Sequence, residues 1–213
     1  MSENVYTYGI VEQEDITLDV AGVKNATEVY TVEYQSLAAV VSDIDTTDPD
    51  RTDEDVEAHN DVLQRVLKYD GGRTIIPMSF GMAFKNTRTL KGVLRGARPA
   101  LQSTLNDIEG TVELGVKVIS TGDEGRSQDV QSDIAETLSA VSINETENDL
   151  FSDRLILNKS YLVSRSERGA FDDAIDDVQE SYDKRFTVQY TGPWPPYNFV
   201  DIHIGAEQQH GGR

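Results

Sequence analysis

Histidines are the side chains that most readily bind a metal ion or transfer a proton near neutral pH. This chain has three of them, His59, His203 and His210. No two stand four residues apart, the spacing that places two zinc ligands on one face of a helix. We therefore predict no histidine metal site, and we expect His59 at the boundary of an amphipathic helix and His203 in an edge strand.

Carboxylates occur in pairs and runs that could hold a divalent cation. Two pairs share faces of one predicted helix, Asp172 with Asp176 and Asp173 with Asp177. The opposite face of that helix carries its apolar residues, which favours a solvated exterior over a metal site. The aspartate-rich run at 43–55 lacks the glycine and the final glutamate of a calcium-binding EF-hand loop.

Recognisable catalytic and nucleotide-binding motifs are missing. The sequence contains no G-x-x-x-x-G-K-[ST] or G-x-G-x-x-G phosphate loop and no G-x-S-x-G nucleophile elbow. GDEGR at 122–126 is short, acidic and typical of a turn. With no cysteine, the chain also lacks thiol nucleophiles, disulfides and Cys-based metal sites. We predict a protein that is not an enzyme and needs no cofactor, and a small-molecule enzyme is the least favoured alternative.

The segment TGPWPPYNFV at 191–200 combines three prolines with aromatic residues and the only tryptophan of the chain. Proline fixes φ and extends the residue before it, so residues 192–196 should be neither helix nor central strand. Rings on such a rigid segment are typical of protein interfaces, and packing into the core is the alternative. The candidate partner-binding residues here are Pro193, Trp194, Pro195, Pro196, Tyr197 and Phe199.

A second candidate segment, GGRTIIPMSFGMAF at 71–84, has methionine or phenylalanine at every other position of its second half. On a strand these side chains would share one face, where thioethers and rings would form an adaptable apolar surface. A core position for that face is the simpler interpretation. We keep four residues of this segment as candidate partner-binding residues: Met78, Phe80, Met82 and Phe84.

The hydrophobic pattern of the first half predicts three strands and two helices. The strands are β-branched and aromatic runs at 5–11, 29–34 and 37–44. The first helix should begin at Thr52 or Asp53 and end before a pair of glycines, and residues 73–84 should be extended. The apolar side of the second helix spans 90–105, and Pro99 should kink that helix or divide it in two.

The second half predicts a β-α-β-α-β unit of the ferredoxin-like, split βαβ type. Strand patterns occur at 111–120, 155–164 and 186–204, and helical patterns occur at 130–141 and 171–182. We therefore expect an α+β protein of two small domains. These are an N-terminal α+β domain at 1–110 and a ferredoxin-like sandwich at 111–205, followed by a flexible tail at 206–213.

The charge balance restricts the environment and the partners. The chain carries 38 Asp and Glu against 19 Lys and Arg, a formal net charge of -19. Molar salt screens such self-repulsion, with a Debye length of ~3 Å, so we predict a halophilic, cytoplasmic protein. No run of consecutive cations exceeds two residues, which argues against a nucleic-acid partner. No apolar run approaches the ~20 residues of a membrane span.

The proline-aromatic motif resembles a signature of the gas vesicle protein F/L family. Other landmarks of this family match YGI at 8–10, LNKSYLV at 157–163, and the spacing of Arg73, Pro77, Phe80, Gly81 and Phe84. The resemblance extends from the first strand to Val200, and together with the charge balance it points to haloarchaeal members. The middle motif departs from the family pattern at Ser79 and Met82.

This resemblance implies an accessory protein of gas vesicle formation, with two domains of which the second is ferredoxin-like. The implied partners are the small, hydrophobic major shell protein and other gas vesicle accessory proteins. We expect a chaperone-like role in nucleation and assembly, because an exposed apolar shell subunit aggregates before it reaches the wall. The alternative is a permanent minor component of the vesicle wall.

Overall fold

A computed structural model describes residues 4–122, 128–182 and 185–201. His203, His210, the tail at 206–213 and most of the GDEGR turn lie outside these ranges. The chain divides into two compact units, one comprising Met1–Glu109 with Val200–Arg213 and the other Gly110–Phe199. Both units combine helices with an antiparallel sheet, so the predicted α+β class is confirmed.

The first unit contains a sheet in the order β2-β3-β4-β1-β5, with β6 also paired to β1. A bulge between Thr7 and Gly9 shifts the register of the central strand, so that Tyr8 and Ile10 face opposite sides although they are two residues apart. The strands are β1 (Asn4–Glu12), β2 (Thr17–Leu18), β3 (Val29–Tyr34), β4 (Leu37–Ile44), β5 (Ile76–Pro77) and β6 (Ala83–Phe84).

Two helices cover this sheet, α1 (Asp53–Lys68) and α2 (Thr87–Asp107). Thr52 caps α1 as predicted, because its side chain accepts a hydrogen bond from the backbone N–H of Asp55. Helix α2 continues through Pro99, so of the two predicted effects of this proline, a kink or a division, the division into two helices is wrong. Its buried leucines on both sides of the proline pack in one apolar cluster with strands β1, β3 and β4, which keeps the helix continuous.

His59 lies in the interior, so its predicted boundary position on α1 is wrong. It is 3% exposed, and its Nδ1 accepts a hydrogen bond from the Tyr6 hydroxyl at 2.9 Å. Its Nε2 donates to the carbonyl of Met78 at 3.1 Å, and the Tyr6 hydroxyl in turn accepts from the N–H of Gly81 at 3.1 Å. These contacts define a neutral tautomer with the proton on Nε2.

The second unit contains a four-stranded sheet in the order β10-β7-β9-β8, with all pairs antiparallel. Its β-α-β-β-α-β sequence of elements is ferredoxin-like, as predicted. Strand β8 was not predicted, because its sequence NETE has no apolar alternation. The elements are β7 (Thr111–Ser120), α3 (Gln128–Ser139), β8 (Asn144–Glu147), β9 (Leu155–Ser164), α4 (Arg168–Tyr182) and β10 (Phe186–Trp194).

Alternate residues of β7 define the two faces of this second sheet. Val112, Leu114, Val116 and Val118 are fully buried on the face that α3 and α4 cover. Glu113, Gly115 and Lys117 alternate with them and define the other face, which we call the outer face. Among the residues that the structure describes, no helix is long and apolar enough to cross a membrane.

We predict that His59 makes stability pH-dependent. Burial lowers its pKa from 6.5 to about 4, so the unfolded chain takes up the proton first as the pH falls. Stability should be full above pH 6.5 and decline toward pH 4, with a loss of about 2 kcal/mol between pH 7 and pH 5. Denaturant unfolding in molar salt at both pH values measures this loss.

The matched variant is His59→Gln, which keeps a hydrogen-bond donor and acceptor but does not titrate. Its stability should change less between pH 7 and pH 5, even if it is lower at both. Equal losses in the two proteins would show that other groups cause the pH dependence.

Candidate protein-binding site

The proline-aromatic segment leaves the sheet of the second unit at its edge. β10 pairs only with β7, and an edge strand is where a sheet tolerates proline. Gly192 has a φ of 117°, and a Cβ there would lie 2.9 Å from the carbonyl oxygen of Glu113, so this position requires glycine. The Gly192–Pro193 peptide bond is cis, and the chain then forms a short 3-10 turn at Tyr197–Phe199.

Asn198 fastens this segment to the outer face of the sheet. Its backbone N–H donates to Glu113 Oε2 at 2.9 Å, and its side-chain Nδ2 donates to Glu113 Oε1 at 2.5 Å. The same Nδ2 lies 3.0 Å from Ser160 Oγ, which also accepts from the side chain of Asn148 at 3.2 Å. Glu113 is only 4% exposed, so its carboxylate depends on these donors.

Two rings of the segment remain open to solvent while its prolines do not. Trp194 and Tyr197 are each 39% exposed, whereas Pro195 and Pro196 are buried. Pro193 and Phe199 are half-buried. Partial burial of its hydroxyl, with a smaller contribution from the Glu113 carboxylate, raises the pKa of Tyr197 to about 12, so the phenol is neutral. The segment therefore presents an uncharged aromatic pair on a fixed backbone.

Large exposed apolar side chains of the described residues occur in the second unit only. Besides Trp194 and Tyr197 they are Ile143 and Phe151, and the Lys117 ammonium lies 5.4 Å from the centre of the Phe151 ring. Trp194 and Tyr197 are the two that stand close together in the sequence and share an anchored segment. We take this aromatic pair as the candidate site.

The methionine and phenylalanine segment does not form the shared face that a strand would give. Only Ile76–Pro77 and Ala83–Phe84 are strand, and a turn at Phe80 and Gly81 separates them. Met78 is 6% exposed in the core of the first unit, where Met82 and Phe84 pack half-buried against the same cluster.

The Phe80 side chain packs against a different group of residues. Its ring packs against Tyr6 and His59, with centroids 5.9 Å apart in each pair, and the Arg51 guanidinium lies 5.4 Å from its centre. This segment therefore contributes mainly to packing within the first unit.

Several carboxylates of the second unit take part in ion pairs and hydrogen bonds. Lys159 lies 2.7 Å from Glu145, which also accepts a hydrogen bond from Ser139. Burial alone would raise the pKa of Glu145, but the bonds from Lys159 and Ser139 outweigh it and lower that pKa. Asp172 accepts from the Tyr190 hydroxyl at 2.5 Å. Within the described ranges, no group of three or more His, Asp or Glu side chains is arranged to hold a metal ion.

The residues that anchor the aromatic pair were not predicted from the sequence. Glu113 and Ser160 lie on strands whose apolar neighbours dominate the pattern, and Asn198 is separated from Glu113 by 85 residues. Two features of the sequence could have indicated these residues. One is the single carboxylate in the largely apolar strand β7, and the other is the amide inside the proline-aromatic motif. A buried carboxylate needs a donor, and the amide is the type of side chain that can supply one.

We predict that Asn198→Ala frees the segment without unfolding the sheet. The change removes the side-chain donor to Glu113 and Ser160, and a buried polar group left without its partner costs about 1–3 kcal/mol. Because Trp194 is the only tryptophan, its fluorescence emission should shift to longer wavelength while the far-UV circular dichroism stays unchanged. Asn148→Ala, which leaves both bonds to Glu113 intact, should shift the emission less. Unchanged emission in Asn198→Ala would contradict the anchoring role.

Curated haloarchaeal proteins match this chain along its full length. Gas vesicle protein F1 of Halobacterium salinarum is 70% identical over 214 residues, covering 100% of both chains. Gas vesicle protein F of Haloferax mediterranei is 69% identical over 212 residues, covering 99% of this chain and 100% of the relative.

Two solved structures are similar to this chain in fold. The crystal structure of GvpF from Anabaena has a TM-score of 0.80 and 18% identity, and covers 95% of this chain and 100% of its own. GvpF from Microcystis aeruginosa has a TM-score of 0.78 and 16% identity, with 94% and 100% coverage. The family model for gas vesicle synthesis protein GvpL/GvpF matches residues 4–125 and 122–201. The chain therefore belongs to the GvpL/GvpF family of gas vesicle proteins.

Proposed function

We propose that this protein is a cytoplasmic assembly factor that binds the hydrophobic major shell protein and assists the nucleation and growth of gas vesicles. Membership of the family gives the role in gas vesicles, and the proposal adds the partner and the mode of action. The shell subunit is apolar, and an apolar subunit that is not yet assembled aggregates. A protein that covers its apolar surface until assembly prevents this loss.

The exposed pair of Trp194 and Tyr197 is the observation that supports this proposal. Aromatic side chains provide a large contact area and lose few rotamers on binding. Here the hydrogen bonds of Asn198 already fix the backbone that carries them, so binding orders little of the chain. Met78, Pro195 and Pro196 are buried and support the fold, and we leave them out of the proposed contact surface.

The negative charge of the surface fits the same role. A net charge of -19 favours solubility, and molar salt screens its self-repulsion enough for the fold to persist. An apolar contact is weakened much less by salt than an exposed ion pair is. Contact through uncharged rings therefore suits a complex that forms in concentrated salt.

We predict that Trp194→Ala weakens binding of the purified major shell protein by about 30-fold, because truncating a central aromatic anchor costs ~2 kcal/mol. Tyr197→Ala should also weaken it. The measurement is a titration of labelled shell protein in molar potassium chloride, with circular dichroism to establish that each variant folds.

Ile143→Ala is the matched control, since it removes an exposed apolar side chain just before β8, the strand at the opposite edge of the same sheet. It should leave the affinity unchanged. Equal affinities of the wild type, Trp194→Ala and Tyr197→Ala would exclude the aromatic pair as the contact surface.

A separate experiment distinguishes an assembly factor from a wall component. Intact vesicles are washed and the amount of this protein is quantified with antibody. Its removal by washing is expected for a factor that acts during assembly. A persistent stoichiometric amount would make it a minor structural component of the wall instead.

A further inference from the structure

Helix α2 carries a concentration of positive charge in a chain that is otherwise strongly acidic. Between Asp70 and Asp107 the sequence has no acidic residue. The same stretch contains six of the 19 basic residues of the chain, namely Arg73, Lys85, Arg88, Lys91, Arg95 and Arg98. The negative shell that covers most of the protein is therefore interrupted here.

Four of these cations form one exposed stripe along α2. Arg88, Lys91, Arg95 and Arg98 are three or four residues apart, so at about 100° per residue they fall within an arc of roughly 80° and span about 15 Å of the helix. All four are exposed. None of their side chains forms an ion pair or hydrogen bond with a residue that the structure describes. We call this stripe the α2 basic face.

Two glycines adjoin the α2 basic face, and neither helix formation nor packing within the protein explains why glycine stands there. Gly92 and Gly96 lie in the helix interior, where alanine is a much better helix former. A Cβ at either position would meet no atom within 4 Å, so packing within the protein does not require glycine there. Gly96 is exposed and Gly92 is half-buried, and glycines at a helix surface allow the backbone of another chain to approach closely.

We propose that the α2 basic face, with Gly92 and Gly96, docks an acidic α-helix of a partner protein. The glycines let the partner helix lie against α2, and its carboxylates then reach the cations on the adjoining arc. Three of the four cations are arginines, which bind carboxylates with two parallel hydrogen bonds. The surface belongs to the first unit, and the aromatic pair belongs to the second.

Carboxylates fit this surface better than nucleic-acid phosphates do. Binding to nucleic acid derives its free energy largely from counterion release and is lost steeply as salt rises. At molar salt the Debye length is ~3 Å, so only groups in direct contact still attract each other. Arginine–carboxylate pairs that touch across an interface between two helices meet this requirement for direct contact. The two glycines help, because they let the helix backbones come close together.

The test uses the full-length protein and a fluorescent, alanine-based helical peptide with glutamates at i, i+4 and i+7. An otherwise identical peptide has glutamine at these positions. In molar potassium chloride the glutamate peptide should bind at least about tenfold more tightly than the glutamine peptide. The double variant Arg95→Glu with Arg98→Glu should abolish this preference. Equal binding of both peptides, no binding of either, or displacement of the peptide by single-stranded RNA would overturn the proposal.

A second pair of variants separates docking from folding. Gly92→Ala with Gly96→Ala should raise the thermal unfolding midpoint, because alanine favours the helix, and yet weaken peptide binding at least about fivefold. Gly169→Ala is the matched control, since Gly169 is also a helical glycine with open space around it, on α4. It should leave peptide binding unchanged. Wild-type affinity in the Gly92→Ala, Gly96→Ala variant would overturn the close approach.

Discussion

A carboxylate buried in a sheet must find hydrogen-bond donors, and the candidate site follows from how Glu113 finds them. Asn198 donates twice to this carboxylate, once from its backbone and once from its side chain. That requirement holds the proline-aromatic segment against the outer face of the second sheet. The three prolines of the segment restrict the backbone on both sides of Trp194 and before Tyr197. The segment therefore holds both rings at the surface.

The sequence places many of its negative and positive charges in different segments. Carboxylates cover α4 and many loops, while α2 carries cations without a single acid between Asp70 and Asp107. In concentrated salt neither set acts over a distance, so each acts only on what it touches. The protein thus has two candidate contact surfaces of different chemistry, uncharged rings in one unit and a cationic helix face in the other. Two such surfaces suit a protein that meets more than one partner.

Regular periodicity made most of the fold predictable. Strands β1, β3, β4, β7 and β9 and helices α1 to α4 follow from apolar spacing, because each buries one face or both.

The missed or wrong predictions concern elements without an apolar pattern and side chains whose hydrogen-bond partners are distant in the sequence. β8 is polar, and its pairing with Lys159 and its neighbours on β9 comes from tertiary contacts. His59 is buried because Tyr6, 53 residues away, supplies a hydrogen bond, and the anchor of Trp194 depends on a pair 85 residues apart. The stripe on α2 escapes a search for consecutive cations, since its members are three or four residues apart.

The two edges of the second sheet bear on how the protein behaves at high concentration. Exposed strand edges invite pairing with a neighbouring chain, and proteins commonly block them with proline, charge or short length. β10 contains Pro193 one residue before its end, and proline has no amide hydrogen to offer. The opposite edge strand β8 is four residues long and carries Glu145 and Glu147. Both edges therefore carry features that oppose the addition of another strand. We therefore expect the protein to resist edge-to-edge pairing of its copies at high concentration.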